Sequence, residues 1–75
     1  MIYIVEKSLD YYADNGYRAI YASRTIEGAQ AAVANFIEHN DDEEIYSSGY
    51  DEEERTWWYD TSYGMYQIIT LPLND

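Results

Sequence analysis

The spacing of apolar and polar positions changes period along the chain, and each change marks an element. Residues 2–6 (IYIVE) are β-branched and aromatic with weak alternation, the pattern of a buried strand. A second strand is predicted over residues 17–22. Between them, "SLDYYADNG" holds an Asn15-Gly16 pair that suits the positive φ angles of a tight turn, so the two strands are expected to be antiparallel neighbours. Residues 9–13 either extend that hairpin or bulge out as a loop. The clearest element follows: Ala29, Ala32, Val33, Phe36 and Ile37 fall at the i, i+3, i+4, i+7, i+8 spacing of one helical face. Thr25 is placed to cap its N-terminus, Glu27 complements the positive end of the helix dipole, and Asn40 is the expected stop. Gly28 lowers helix propensity by about 1 kcal/mol, which marks either a close approach or tolerance. Alanines at 29, 31 and 32 allow the helix to lie close on a sheet.

Beyond the helix the signals shorten. Residues 45–50 form a candidate short strand, 51–54 a turn, and 55–60 a strand with Trp57 and Tyr59 on one face and Trp58 on the other. "DTSYG" supplies turn chemistry, and residues 66–71 make a last strand that Pro72 ends by removing a ladder donor. The predicted fold is a single α+β domain over residues 1–75: an antiparallel sheet of about four strands, in the order β-β-α-β-β, with one helix on one face.

Composition narrows what such a domain can do. A chain of 75 residues buries only about 60% of the surface its unfolded form exposes, which leaves no room for a second lobe or deep cleft. It has no cysteine, so packing alone must hold it. Fifteen acidic residues against four basic ones give a net charge of -11, yet 47% of residues are hydrophobic, including ten tyrosines and two tryptophans. That apolar content predicts a folded acidic domain and not a disordered one. Its charge repels nucleic acid and anionic membranes, so neither is expected as a direct partner. "MIYIVEKSLD" lacks the basic start and apolar run of a signal peptide, and a cytoplasmic location is expected.

Ten of the acids lie between residues 38 and 60: Glu38, Asp41, Asp42, Glu43, Glu44, Asp51, Glu52, Glu53, Glu54 and Asp60. Gathered on one surface, ten carboxylates match the charge of roughly 17 Å of duplex DNA. A compact domain this size has a radius of gyration of about 11 Å, so such a surface fits. A solvated loop that maintains solubility accounts for the same run of acids. The interleaved rings sharpen the choice. Tyr46, Tyr50, Trp57, Trp58, Tyr59 and Tyr63 lie near these acids, and aromatics beside charge are favoured at protein interfaces. At most one of Trp57 and Trp58 faces a helix-covered core. The residues expected to bind a partner are Asp41, Asp42, Glu43, Glu44, Tyr50, Asp51, Glu52, Glu53, Glu54, Trp58 and Asp60. Enzyme signatures are missing: Ser47, Ser48 and Ser62 sit in no nucleophile motif, and no glycine-rich phosphate loop is present. "HNDDEE" lacks the spacing of a calcium loop, so no metal and no cofactor is expected.

The stretch "YDEEERTWWYD" is similar in character to the acid-plus-aromatic surfaces of small acidic bacteriophage-encoded inhibitors of the DNA-mimic type. That class acts on restriction enzymes, CRISPR effectors or DNA-repair glycosylases. The resemblance is one of class and carries no functional residue across. It implies a non-enzymatic inhibitor or adaptor that occupies the basic nucleic-acid-binding surface of a host protein. The alternative is a small self-associating module, and a homodimer is compatible with the exposed strand edges that a small sheet leaves.

Overall fold

A computed structural model describes residues 1–8, 16–39 and 43–72. The chain forms β1 (Ile2–Ser8), β2 (Arg18–Ser23), α1 (Ile26–Glu38), β3 (Ile45–Asp51), β4 (Thr56–Thr61) and β5 (Gly64–Leu71). All five strands join one antiparallel sheet in the order β2-β1-β5-β4-β3. The α+β class, and the one helix among the described residues, agree with expectation. The expectation of about four strands is close: the described sheet has five, because residues 45–51 pair with β4 along most of their length. The element order is therefore β-β-α-β-β-β. The Asn15-Gly16 turn, the two readings of residues 9–13 and the stop at Asn40 fall on residues 9–15 and 40, outside the described ones.

This order follows from what the helix does. β1 and β2 form a hairpin at one side of the sheet, and α1 then carries the chain across one face. Thirteen helical residues span about 20 Å. Four inter-strand spacings measure about 19 Å, so one helix and a short connection suffice to reach the far edge. From β3 two hairpins step back inward, and β5 closes against β1.

The core lies between α1 and the sheet. Val5, Tyr66 and Ile68 from the strands meet Ala29, Ala32, Val33 and Ile37 from the helix, with Tyr3, Ile26, Trp57 and Tyr59 packed around them. The predicted apolar stripe is this face, although Phe36 on it keeps 36% of its surface exposed. Thr25 caps the helix as its position predicts: its Oγ1 accepts the Gly28 N–H at 3.0 Å. Gly28 is a close approach, since a Cβ there would lie 2.3 Å from the Ser23 hydroxyl. The helix ends at Glu38 with His39 as cap, whose ring Nδ1 lies 2.7 Å from the Asn35 carbonyl and donates to it. α1 touches β1, β2 and β5 and leaves the opposite sheet face uncovered by any described helix.

Candidate functional site

Strand register sorts the acid and aromatic residues onto two faces. In an antiparallel pair, opposed residues point to the same side. Trp57 opposes Ile68 and Tyr59 opposes Tyr66, both core residues, so these two rings lie on the helix side. Trp58 opposes Gln67 on the uncovered side and is 37% exposed. One tryptophan thus faces the core and the other does not. Tyr50 opposes Trp57, with ring centroids 4.5 Å apart, and Trp57 meets Tyr3 edge-on at 6.0 Å. Tyr50 is therefore exposed on the opposite face from Trp58.

Among the described residues, the β3–β4 turn carries the densest charge. Asp51 ends β3, and its Oδ1 accepts the N–H groups of Glu53 and Glu54 at 3.0 and 3.2 Å. This bridging aspartate closes a tight turn in the way short acidic side chains do. Arg55 completes it at φ 52, in the left-handed region. Glu52, Glu53 and Glu54 are exposed. At the foot of the turn, on the uncovered face, Asp51, Glu54, Thr56, Trp58, Gln67 and Ile69 line a shallow groove of about 420 Å³. The indole leans toward β3 because Gly49 has no side chain: a Cβ there would sit 2.7 Å from Cζ2 of Trp58. The groove thus combines an indole and an isoleucine with the acidic residues Asp51 and Glu54. That combination suits a cationic side chain, through ring-face attraction and charge pairing.

Other predicted residues lie elsewhere. Asp60 is half-buried further along the uncovered face, where Ser47 Oγ donates to its Oδ2 at 3.4 Å. Tyr17 reaches the same region: burial, then the carboxylates of Asp60 and Glu6, raise its phenol pKa above the usual value. Glu44 is exposed at the opposite end of β3 from the acidic turn, its backbone tied to Ser62 by two hydrogen bonds of 2.9 and 3.0 Å. Asp41 and Asp42 lie outside the described residues.

Glu43 corrects the expectation of a surface acid. It is 7% exposed, and its carboxylate accepts the Thr61 hydroxyl at 2.5 Å and the Tyr66 hydroxyl at 3.3 Å. Lys7 Nζ stands 4.9 Å from the centre of the Tyr66 ring. A carboxylate leaves water only where such donors replace its hydration, so Glu43 serves the fold by joining β4 to β5 through Thr61 and Tyr66. Burial raises the Tyr66 pKa, Lys7 opposes that rise, and Glu43 adds to it.

The structure therefore brings Asp51, Glu54 and Trp58 together and leaves Tyr50, Glu43, Glu44 and Asp60 apart from them. From Glu44 to Asp51 the edge runs seven residues, about 24 Å. A duplex presents about fourteen charges over that length, more than the described exposed acids supply. The pattern is a neutral strand with acid at both ends. Sequence reasoning missed Gln67 and Ile69 in the groove. The signal was a glutamine alternating with Tyr66 and Ile68, which demands a second face for its amide; Gln67 Nε2 in fact donates to Glu6 Oε1 across that face. Among the described residues, no three His, Asp or Glu side chains converge on a common point, and no helix is long and apolar enough to cross a membrane. No protein-family model, curated protein or solved structure matches the chain.

Proposed function

We propose that the protein is a non-enzymatic inhibitor or adaptor that presents the β3–β4 end of its sheet to the basic nucleic-acid-binding surface of another protein. The observation that carries this reading is the groove at the acidic turn, where Asp51 and Glu54 meet the exposed Trp58. An arginine or lysine entering it exchanges water for an indole and two carboxylates, while Glu52 and Glu53 extend the negative field outward. Partner-facing charge of this kind governs association rate and specificity. The phage inhibitors named above supply an analogy of surface chemistry, and mimicry here is of a locally dense anion and not of a continuous duplex.

The test compares wild type with a variant carrying Asp51→Asn and Glu→Gln at 52, 53 and 54. The Asp51→Asn change keeps the side-chain oxygen that holds the turn, so the fold is retained by circular dichroism. Wild-type protein on beads should capture a nucleic-acid-binding protein that duplex DNA elutes, and the variant should not. Equal capture by both, or capture insensitive to DNA, removes the proposal. The self-association reading has one observation in its favour: the uncovered face carries Ile2, Ile4 and Ile69, half-buried, and the exposed Leu71. Sedimentation at low and high salt tests it, because an apolar dimer is insensitive to salt and forms without a partner.

A further inference from the structure

We infer that the outer edge of β3 is a strand-addition site for an extended cationic segment of the partner, an inference that rests on the function proposed above. Among the described residues, the sheet order leaves β3 with a neighbour on one side only. Every second residue of such an edge directs unpaired N–H and C=O groups outward, and natural edges are normally blunted by charge, proline or a bulge. β3 carries none of these along Ser47–Tyr50, where its ladder to β4 is regular; its irregularity is confined to the step between Ile45 and Ser47. Ile45, Tyr46, Ser47, Ser48 and Tyr50 are exposed, Tyr46 at 69%. The other edge differs: β2 is bulged opposite Val5 and Glu6, is touched by α1, begins at Arg18 and is followed by Arg24.

Charge identifies the occupant. The uncharged strand from Ile45 to Tyr50 is bracketed by Glu44 at one end and Asp51, Glu52, Glu53 and Glu54 at the other. A second copy of this chain fits badly. Antiparallel pairing centred on Ser48 sets Glu52 of each copy against Glu44 of the other, and parallel pairing aligns the acidic turns with each other, between chains of net charge -11. An extended segment with basic residues at its ends and β-branched residues between meets both carboxylate groups and fills the backbone positions. Main-chain pairing then supplies affinity and alternate side chains supply specificity. At the register of Gly49 and Asp51, side chains of the added strand project onto the uncovered face beside Trp58, so an arginine or lysine there reaches the groove.

The probe is a capped nine-residue peptide with two arginines at each end and five valine and threonine residues between, compared with the same peptide N-methylated along both edges. N-methylation keeps every charge and removes the backbone donors. Titration at fixed low salt should show the methylated peptide at least tenfold weaker. The unmodified peptide should slow hydrogen exchange of alternate amides within Ser47, Ser48, Gly49, Tyr50 and Asp51 while leaving β2 amides unchanged. Equal affinity of the two peptides, or protection at β2, overturns strand addition while the acidic-surface reading stands. Failure of both peptides to bind overturns the inference and that reading together. Concentration-dependent protection of β3 without peptide assigns the edge to a second copy and also overturns it.

Discussion

Replacing Glu43 by alanine should destabilise the domain more than any neutralisation on the acidic turn. The carboxylate receives the Thr61 and Tyr66 hydroxyls, both in residues with no exposed surface. After truncation Thr61 retains an acceptor, since its Oγ1 lies 3.1 Å from the Gly64 carbonyl. The Tyr66 hydroxyl has no such fallback in Lys7, which can only donate. One lost charged hydrogen bond of about 1.5–3 kcal/mol plus a small cavity gives a loss of about 2–4 kcal/mol. A domain this size has about 4–11 kcal/mol of stability in total, so the variant should lose a large share of it. Urea unfolding followed by tryptophan fluorescence measures this directly, with Glu44→Ala, one residue away and exposed, expected within about 0.5 kcal/mol of wild type. Glu43→Gln should fall between them, keeping one carbonyl acceptor. Equal midpoints for the alanine variants at 43 and 44 would refute the buried network and return Glu43 to the surface.

Other outcomes follow from the same geometry. Burial, first of all, raises the phenol pKa of Tyr17, Tyr59 and Tyr66, so the folded state holds these protons more tightly than the unfolded one. That contribution is complete below the unfolded value of about 10 and is lost as pH rises through the folded values, so stability should fall above pH 10; ultraviolet titration should show late-ionising phenols, and Tyr59→Phe should flatten the fall. Gly49→Ala should displace the Trp58 indole, cost about 1–3 kcal/mol and shift tryptophan emission, and unchanged emission and stability would contradict the packing of that ring over β3. Arg55→Gly should leave stability unchanged or raise it by up to about 1 kcal/mol, whereas Arg55→Val should lower it, as judged by urea midpoints, because residue 55 has φ 52.

The helix was legible because its signal is local: the stripe from Ala29 to Ile37 and the Thr25 cap need no knowledge of the rest of the chain. Strand positions were legible for the same reason, and the alternation of Trp57 and Trp58 predicted their opposite faces. The count of strands was less so, since "IYSSGYD" contains small polar residues and is a strand chiefly by pairing with β4. Glu43 could not be told from Glu44 by sequence. Both sit in one acid run, and what separates them is the placing of Thr61 and Tyr66, 18 and 23 residues onward. The groove was half visible: "YDEEERTWW" predicted acid beside an exposed indole, while Gln67 and Ile69 arrive through the β4–β5 register.

If the acidic turn and Trp58 act together as a surface for cationic side chains, that surface should respond as one unit to a cationic ligand. A heteronuclear NMR titration with an arginine-rich peptide, followed residue by residue, reads that response. Saturable shifts are expected at the Trp58 indole N–H, Gly49 and residues 51–56, and are expected to be lost in the variant neutralised at residues 51–54 although its spectrum remains folded. Shifts spread evenly over the exposed acids, including Glu27 and Glu38 on the helix, or unchanged by that neutralisation, would contradict it.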